Sequence, residues 1–130
     1  MPAAVDLVIA NGSAVNKTFS LYTPAAGDNS VAMWKLKEGA ISAVFPTISV
    51  LARATGNKAR KTQHKIRVPS SYVDVSSGLT QVGSSVDAVL DVTIPDDFPE
   101  AGKGDAVAFI ANYVNSVLAK ALIRDALPAT

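Results

Sequence analysis

The chain has 130 residues and no cysteine, which removes disulfides, thiolate metal sites and cysteine nucleophiles together. Stability must then come from packing and assembly. No hydrophobic run reaches the length that crosses a membrane. The opening Met1-Pro2-Ala3-Ala4-Val5-Asp6 lacks the basic start of a secretory signal, so no membrane partner is expected. No glycine-rich phosphate loop, GxSxG elbow or dinucleotide fingerprint occurs in any frame. The single histidine, His64, has no HxxxH partner, so core packing explains it better than a metal site or a triad. Asp87 with Asp91, and Asp96 with Asp97, have no second group at readable spacing for acid/base work. Salt bridging to the basic strands suits Asp91, and a turn suits Asp96 and Asp97. Neither an enzyme nor a cofactor is expected. The formal net charge is only +1, so any case for a charged partner rests on where the charges lie.

Alternation of period two is the dominant pattern. Val5, Leu7 and Ile9 share one face, Asn11-Gly12 follows, and Phe19 and Leu21 alternate with Ser20, which predicts an N-terminal hairpin over 1–23. After a polar stretch, Val31-Ala32-Met33-Trp34 reads as a short strand anchored in the core by Trp34. Two further strands, Thr47 to Ala54 and Lys61 to Val68, turn around Gly56-Asn57, with Ile48, Val50 and Ala52 matching Ile66 and Val68, and His64, across an inner face. Pro69 is expected to end the second of these, and Ser70 to Ser85 to form a loop flanked by short extended pieces. Val86, Ala88, Leu90, Val92 and Ile94 then alternate until Pro95. The strand region spans 31–95. Beyond it, Asp105 is placed to cap a helical segment over 104–127, which Pro128 stops.

Strands followed by helix, without βαβ alternation, give an α+β class with an antiparallel sheet covered on one side. The whole chain, 1–130, is one domain. One helical segment covers few strands, so Ile48, Val50, Ile66 and Leu90 would stay partly wet in a monomer. An obligate dimer whose helices cross onto the partner's sheet is expected.

No acidic residue occurs from Gly39 to Val73, whereas six of the twelve Lys and Arg side chains (Arg53, Lys58, Arg60, Lys61, Lys65 and Arg67) fall within fifteen positions there. By strand parity, Ser49 and Arg53 on one strand and Lys61, Gln63, Lys65 and Arg67 on the next point away from the apolar face. Two readings fit this flat basic surface. It neutralises phosphates, with Gln63 and Ser49 adding neutral hydrogen bonds, or it is a solvated face whose lysines discourage aggregation. No aromatic falls at an outward position of these two strands, so backbone contact suits it better than base stacking.

The order of features, Val31-Ala32-Met33-Trp34, then Arg53, then Lys61 to Pro69, then Val92-Thr93-Ile94-Pro95 before the helical region, resembles the coat proteins of single-stranded RNA bacteriophages, the leviviruses. The resemblance spans nearly the whole chain. It implies an N-terminal hairpin, a five-stranded antiparallel sheet, and C-terminal helices that interlock two subunits. Such homodimers close an icosahedral shell in the bacterial cytoplasm, and the sheet's outer face lines the virion interior. That face binds single-stranded viral RNA, including an operator hairpin, and so represses replicase translation. The RNA-facing positions it implies are Ser49, Leu51, Arg53, Lys61, Gln63, Lys65 and Arg67, with Val89 and Asp91 of the last strand. The loop Val73 to Ser84 corresponds to the one lining the five-fold and quasi-six-fold axes, and no disulfide can brace it here. Well-known members stack a hairpin base on a tyrosine in the last strand, where this chain reads Asp87-Ala88-Val89. The family's helices are separated by a break, whereas Ser116 to Ala121 contains neither Gly nor Pro, so a bend must come from packing or be absent. From the residues alone, a small dimeric nucleic-acid-binding regulator that forms no shell is the alternative.

Overall fold

A computed structural model describes residues 2–129. They divide into two compact units, one ending at Ile94 and one beginning at Pro95. The first is a six-stranded antiparallel sheet in simple chain order, β1 (Leu7–Ala10), β2 (Asn16–Thr23), β3 (Val31–Lys35), β4 (Thr47–Thr55), β5 (Ala59–Val73) and β6 (Thr80–Pro95). The expected N-terminal hairpin is β1 and β2, and β3 continues its sheet. The count is therefore six strands in one sheet, rather than a hairpin beside a sheet of five.

Alternation places the core. Phe19, Ala32, Trp34 and Ile48 form a buried cluster, with Leu7, Leu21, Leu36 and Val50 packed around it. Trp34 is paired with Ile48 and with Leu21 across the neighbouring ladders, and its indole Nε1–H donates to the Val5 carbonyl at 2.8 Å. Ile48 is thus covered within the chain, contrary to the expectation that it would stay wet. Two turns use residues other than glycine at their key positions. Asn11 Oδ1 accepts from the Ser13 and Val15 N–H groups between β1 and β2, and Lys58, at φ 54°, takes the left-handed position between β4 and β5.

Pro69 does not end its strand. The β4 ladder stops at Thr47 opposite Arg67, so beyond that point a missing N–H on β5 costs no bond to β4, and proline is tolerated as at an edge. The expected loop over Ser70 to Ser85 shrinks to residues 74–79. Asp74 closes it: its N–H donates to the Leu79 carbonyl at 2.9 Å, its carbonyl accepts from Gly78 N–H at 2.7 Å, and its carboxylate accepts from Ser76 N–H. Gly78 supplies the positive φ of 69°.

The second unit holds α1 (Glu100–Val114) and α2 (Val117–Asp125), bent by 52°. Neither helix is long and apolar enough to cross a membrane; only the bent pair taken together reaches that length and composition. The helix starts earlier than the Asp105 cap predicts, with Pro99 at its N-cap and Glu100 in the first turn, where its charge suits the helix dipole. Gly102 and Gly104 argue against helix there, since each costs about 1 kcal/mol relative to alanine. Gly102 is explained by packing: a Cβ at this position would lie 3.2 Å from the Phe98 ring. The break between the helices is made by a serine. Ser116 Oγ accepts from Ala119 N–H at 3.1 Å and donates to the Tyr113 carbonyl at 2.6 Å, capping α2 while ending α1.

Candidate nucleic-acid interface

The ladder between β4 and β5 sets Thr47 opposite Arg67, Ser49 opposite Lys65, Leu51 opposite Gln63 and Arg53 opposite Lys61. Directly opposed residues in an antiparallel pair share a face, with Cβ atoms about 5 Å apart. Seven of the nine expected positions are therefore gathered into four cross-strand rows on the side away from Ile48, Val50, His64 and Ile66. The rows continue onto β3, where Lys35 lies opposite Thr47, Met33 opposite Ser49 and Val31 opposite Leu51. At about 3.4 Å per residue, the stretch from Lys61 to Arg67 is about 20 Å long.

β6 supplies the remaining two positions and a counter-charge. Asp91 Oδ2 lies 3.7 Å from Lys61 Nζ, and Asp87 Oδ1 lies 3.9 Å from Arg67 Nε. The pairing expected for Asp91 is observed. Both contacts are long and solvated, so each contributes at most about 1 kcal/mol, and a phosphate oxygen can displace either carboxylate. Lys35, Arg53, Lys61, Lys65 and Arg67 thus outweigh Asp87 and Asp91 on this face. Between β4, β5 and β6 it opens into a shallow cavity of about 330 Å³ lined by Thr47, Ser49, Lys65, Ile66, Arg67, Asp87, Ala88 and Val89. Hydroxyls, an ammonium and a guanidinium converge there beside the apolar Val89 and Ala88.

Arg60 faces elsewhere, toward Asp28, whose carboxylate accepts from its guanidinium. That hydrogen bond holds the Asp28 carboxyl below its ordinary value, aided by the guanidinium charge and partly offset by desolvation. This pair ties the 24–30 loop to β5, and the Asn29 N–H, donating to the Ala52 carbonyl at 2.9 Å, ties it to β4. Among the described residues, no three His, Asp or Glu side chains converge as a metal site would need. Tyr22, two residues beyond Ser20 on the face opposite Phe19 and Leu21, was not among the expected positions, and its ring lies under Lys35 Nζ.

Residues 2–130 match the family model described as levivirus coat protein. The chain belongs to the levivirus coat protein family. Membership assigns it a structural role in a coat. Solved coat structures share its fold. The virus-like particle of bacteriophage NT-214 superposes with a TM-score of 0.85 at 22% identity, covering 99% of this chain and 100% of that one. The virus-like particle of Beihai levi-like virus 21 gives 0.85 at 15% identity, with 99% of each chain covered. The bacteriophage GA protein capsid gives 0.73 at 23% identity, over 93% of this chain and 94% of that one. No curated protein sequence matches the chain. In this levivirus coat protein the curled antiparallel sheet and paired C-terminal helices are those of the family, including the helix break that the sequence left open.

Proposed function

We propose that this coat protein assembles as a homodimer, that the dimers close an icosahedral shell, and that the face carrying Lys61 and Lys65 binds viral RNA inside the virion. The observation that carries the proposal is the β4–β5 register. It aligns Ser49, Leu51, Arg53, Lys61, Gln63, Lys65 and Arg67 on one side of the sheet, with no carboxylate on either strand there. Such a face binds RNA backbone by neutralising phosphates and releasing counterions. Val89 and Asp91 border it on β6.

The dimer is supported by apolar surface that a single chain leaves open. On the sheet's other side, Ile66 and Leu90 are 43% and 42% exposed and Val86 is 66% exposed. On the helices, Phe109 and Val117 are 74% and 86% exposed. Patches of this kind mark protein contacts, and a second copy whose helices lie on β5 and β6 buries both at once. Particle formation by relatives of this fold supports closure of such dimers into a shell, assembled in the bacterial cytoplasm.

Translational repression through an operator hairpin is a finer reading of the same face. Val89 offers area but no ring, so hairpin binding here depends on the hydroxyl and cation contacts of the cavity rather than on stacking at β6. Negative-stain microscopy of the purified protein, with extraction of enclosed nucleic acid, tests the main proposal. Uniform virus-sized particles containing RNA are expected; dimers that never close under several buffers would instead favour a shell-free regulator. Binding to the hairpin at the replicase start of its own genome, against a scrambled hairpin, tests repression.

A further inference from the structure

β2 and β3 pair Ser20 with Lys35 and Leu21 with Trp34, and then the register shifts so that Thr23 lies opposite Met33. Tyr22 is left without a partner across the ladder. Two residues beyond Ser20, Tyr22 shares the face of Lys35, and its ring, 62% exposed, lies with Lys35 Nζ 3.9 Å from its centroid. Lys35 stands opposite Thr47, and Thr47 opposite Arg67. Ser20 ends on β2 the cross-strand row that crosses the basic face, and the ring sits beside that end against Lys35, three strands away from Arg67.

From this juxtaposition we infer a second subsite: Tyr22 is a stacking platform for an unpaired nucleobase of single-stranded RNA, and Lys35 takes the adjoining phosphate. The inference rests on the proposed RNA-facing role of the basic face. In the free protein the ring quadrupole holds the ammonium. A phosphate is a stronger partner for that ammonium than a ring face is, so arriving RNA draws Lys35 off the ring and a base takes its place. Neither group is left unsatisfied by the exchange. Every base has a π-face, so the platform tolerates any sequence but requires an unpaired nucleotide. The subsite also gives this face an aromatic contact although β6 offers only Val89 at its own end.

The test compares wild type with Tyr22→Ala, Tyr22→Phe and the double variant Lys61→Ala/Lys65→Ala. Subunits below the concentration of assembly are titrated with a uridine-rich single strand and with a duplex of equal length. Tyr22→Ala should bind the single strand about tenfold more weakly, with its salt slope and duplex binding unchanged, and Tyr22→Phe should restore affinity. In particles loaded with 4-thiouridine RNA, irradiation should crosslink the tryptic peptide from Thr18 to Lys35, a readout independent of any variant's folding. Loss of that crosslink in wild type, single-strand binding by Tyr22→Ala within about twofold of wild type, or no rescue by phenylalanine overturns the subsite. If the double lysine variant still flattens the salt slope, the basic face stands and only the subsite falls. If the double variant binds as wild type does, the RNA-facing reading itself falls.

Discussion

The two ends of the sheet carry the same alternation and reach opposite outcomes. At the β2–β4 end, the apolar residues Phe19, Ala32, Trp34 and Ile48 are covered by one another and by their neighbours, each no more than 9% exposed. At the β5–β6 end the matching positions, Ile66, Val68, Val86 and Leu90, remain open. Period-two patterning states which side chains need covering. It does not state whether the cover comes from the same chain. The first end belongs to folding, and the proposed dimer gives the second to assembly.

Trp34→Ala gives the largest effect expected from that division. It removes the centre of the covered end together with its hydrogen bond to Val5, at a cost of about 3–5 kcal/mol, read as a lower midpoint in urea unfolding. An unchanged midpoint would mean that this end is no core. Ile66→Lys at the open end should instead cost assembly, by about 1.5–3 kcal/mol per subunit, and sedimentation should show smaller species with the β2–β4 core intact. If Ile66→Lys dimerised normally, the open end would not be an interface.

Ser116→Ala tests whether the helix break belongs to the assembly side of the comparison. It removes the α2 cap, costing about 1 kcal/mol of helix stability, and particle yield should fall more than the midpoint of sheet unfolding does. Equal losses would contradict that placement. Asp28→Asn is the smallest. The Asp28 carboxyl is held below its unfolded value of 3.8, so its stabilising contribution is fully present above that pH and is lost as pH falls through the lower folded value. The variant should therefore match wild type in strong acid and differ slightly at neutral pH. The pair is exposed, so a large difference would show that the loop to β5 contributes more than a solvated ion pair can.

Most of the sheet was legible because its signal is local. Ile48, Val50, Arg53, Lys61 and Lys65 declare their faces by spacing alone, and the β4–β5 register follows once the turn after Thr55 is placed. What escaped depends on neighbours. Pro69 reads as a stop, but β4 has ended where it stands, so the strand runs on to Val73. The helical reading began only at Gly104, but Phe98 packs against Gly102 and the helix starts a turn earlier, at Glu100. Ser116 carries no break signal of the Gly or Pro kind, yet its hydroxyl serves both helices. The bulge at Tyr22 left no mark on an otherwise regular strand. For the site, six positions on β4 and β5 came from parity, whereas Leu51, Val89 and Asp91 entered through the family resemblance, and the cavity beside Val89 appears only when β6 is set against β5.

The basic face is the claim on which the functional account depends, and the salt dependence of RNA binding tests it most directly. Log affinity for a single-stranded RNA, measured against log salt, should fall steeply for the wild type, and the Lys61→Ala/Lys65→Ala variant should flatten that slope by about 1.4 per subunit. Weaker binding with a flatter slope across unrelated sequences is the predicted result; a slope indistinguishable from wild type would contradict the account.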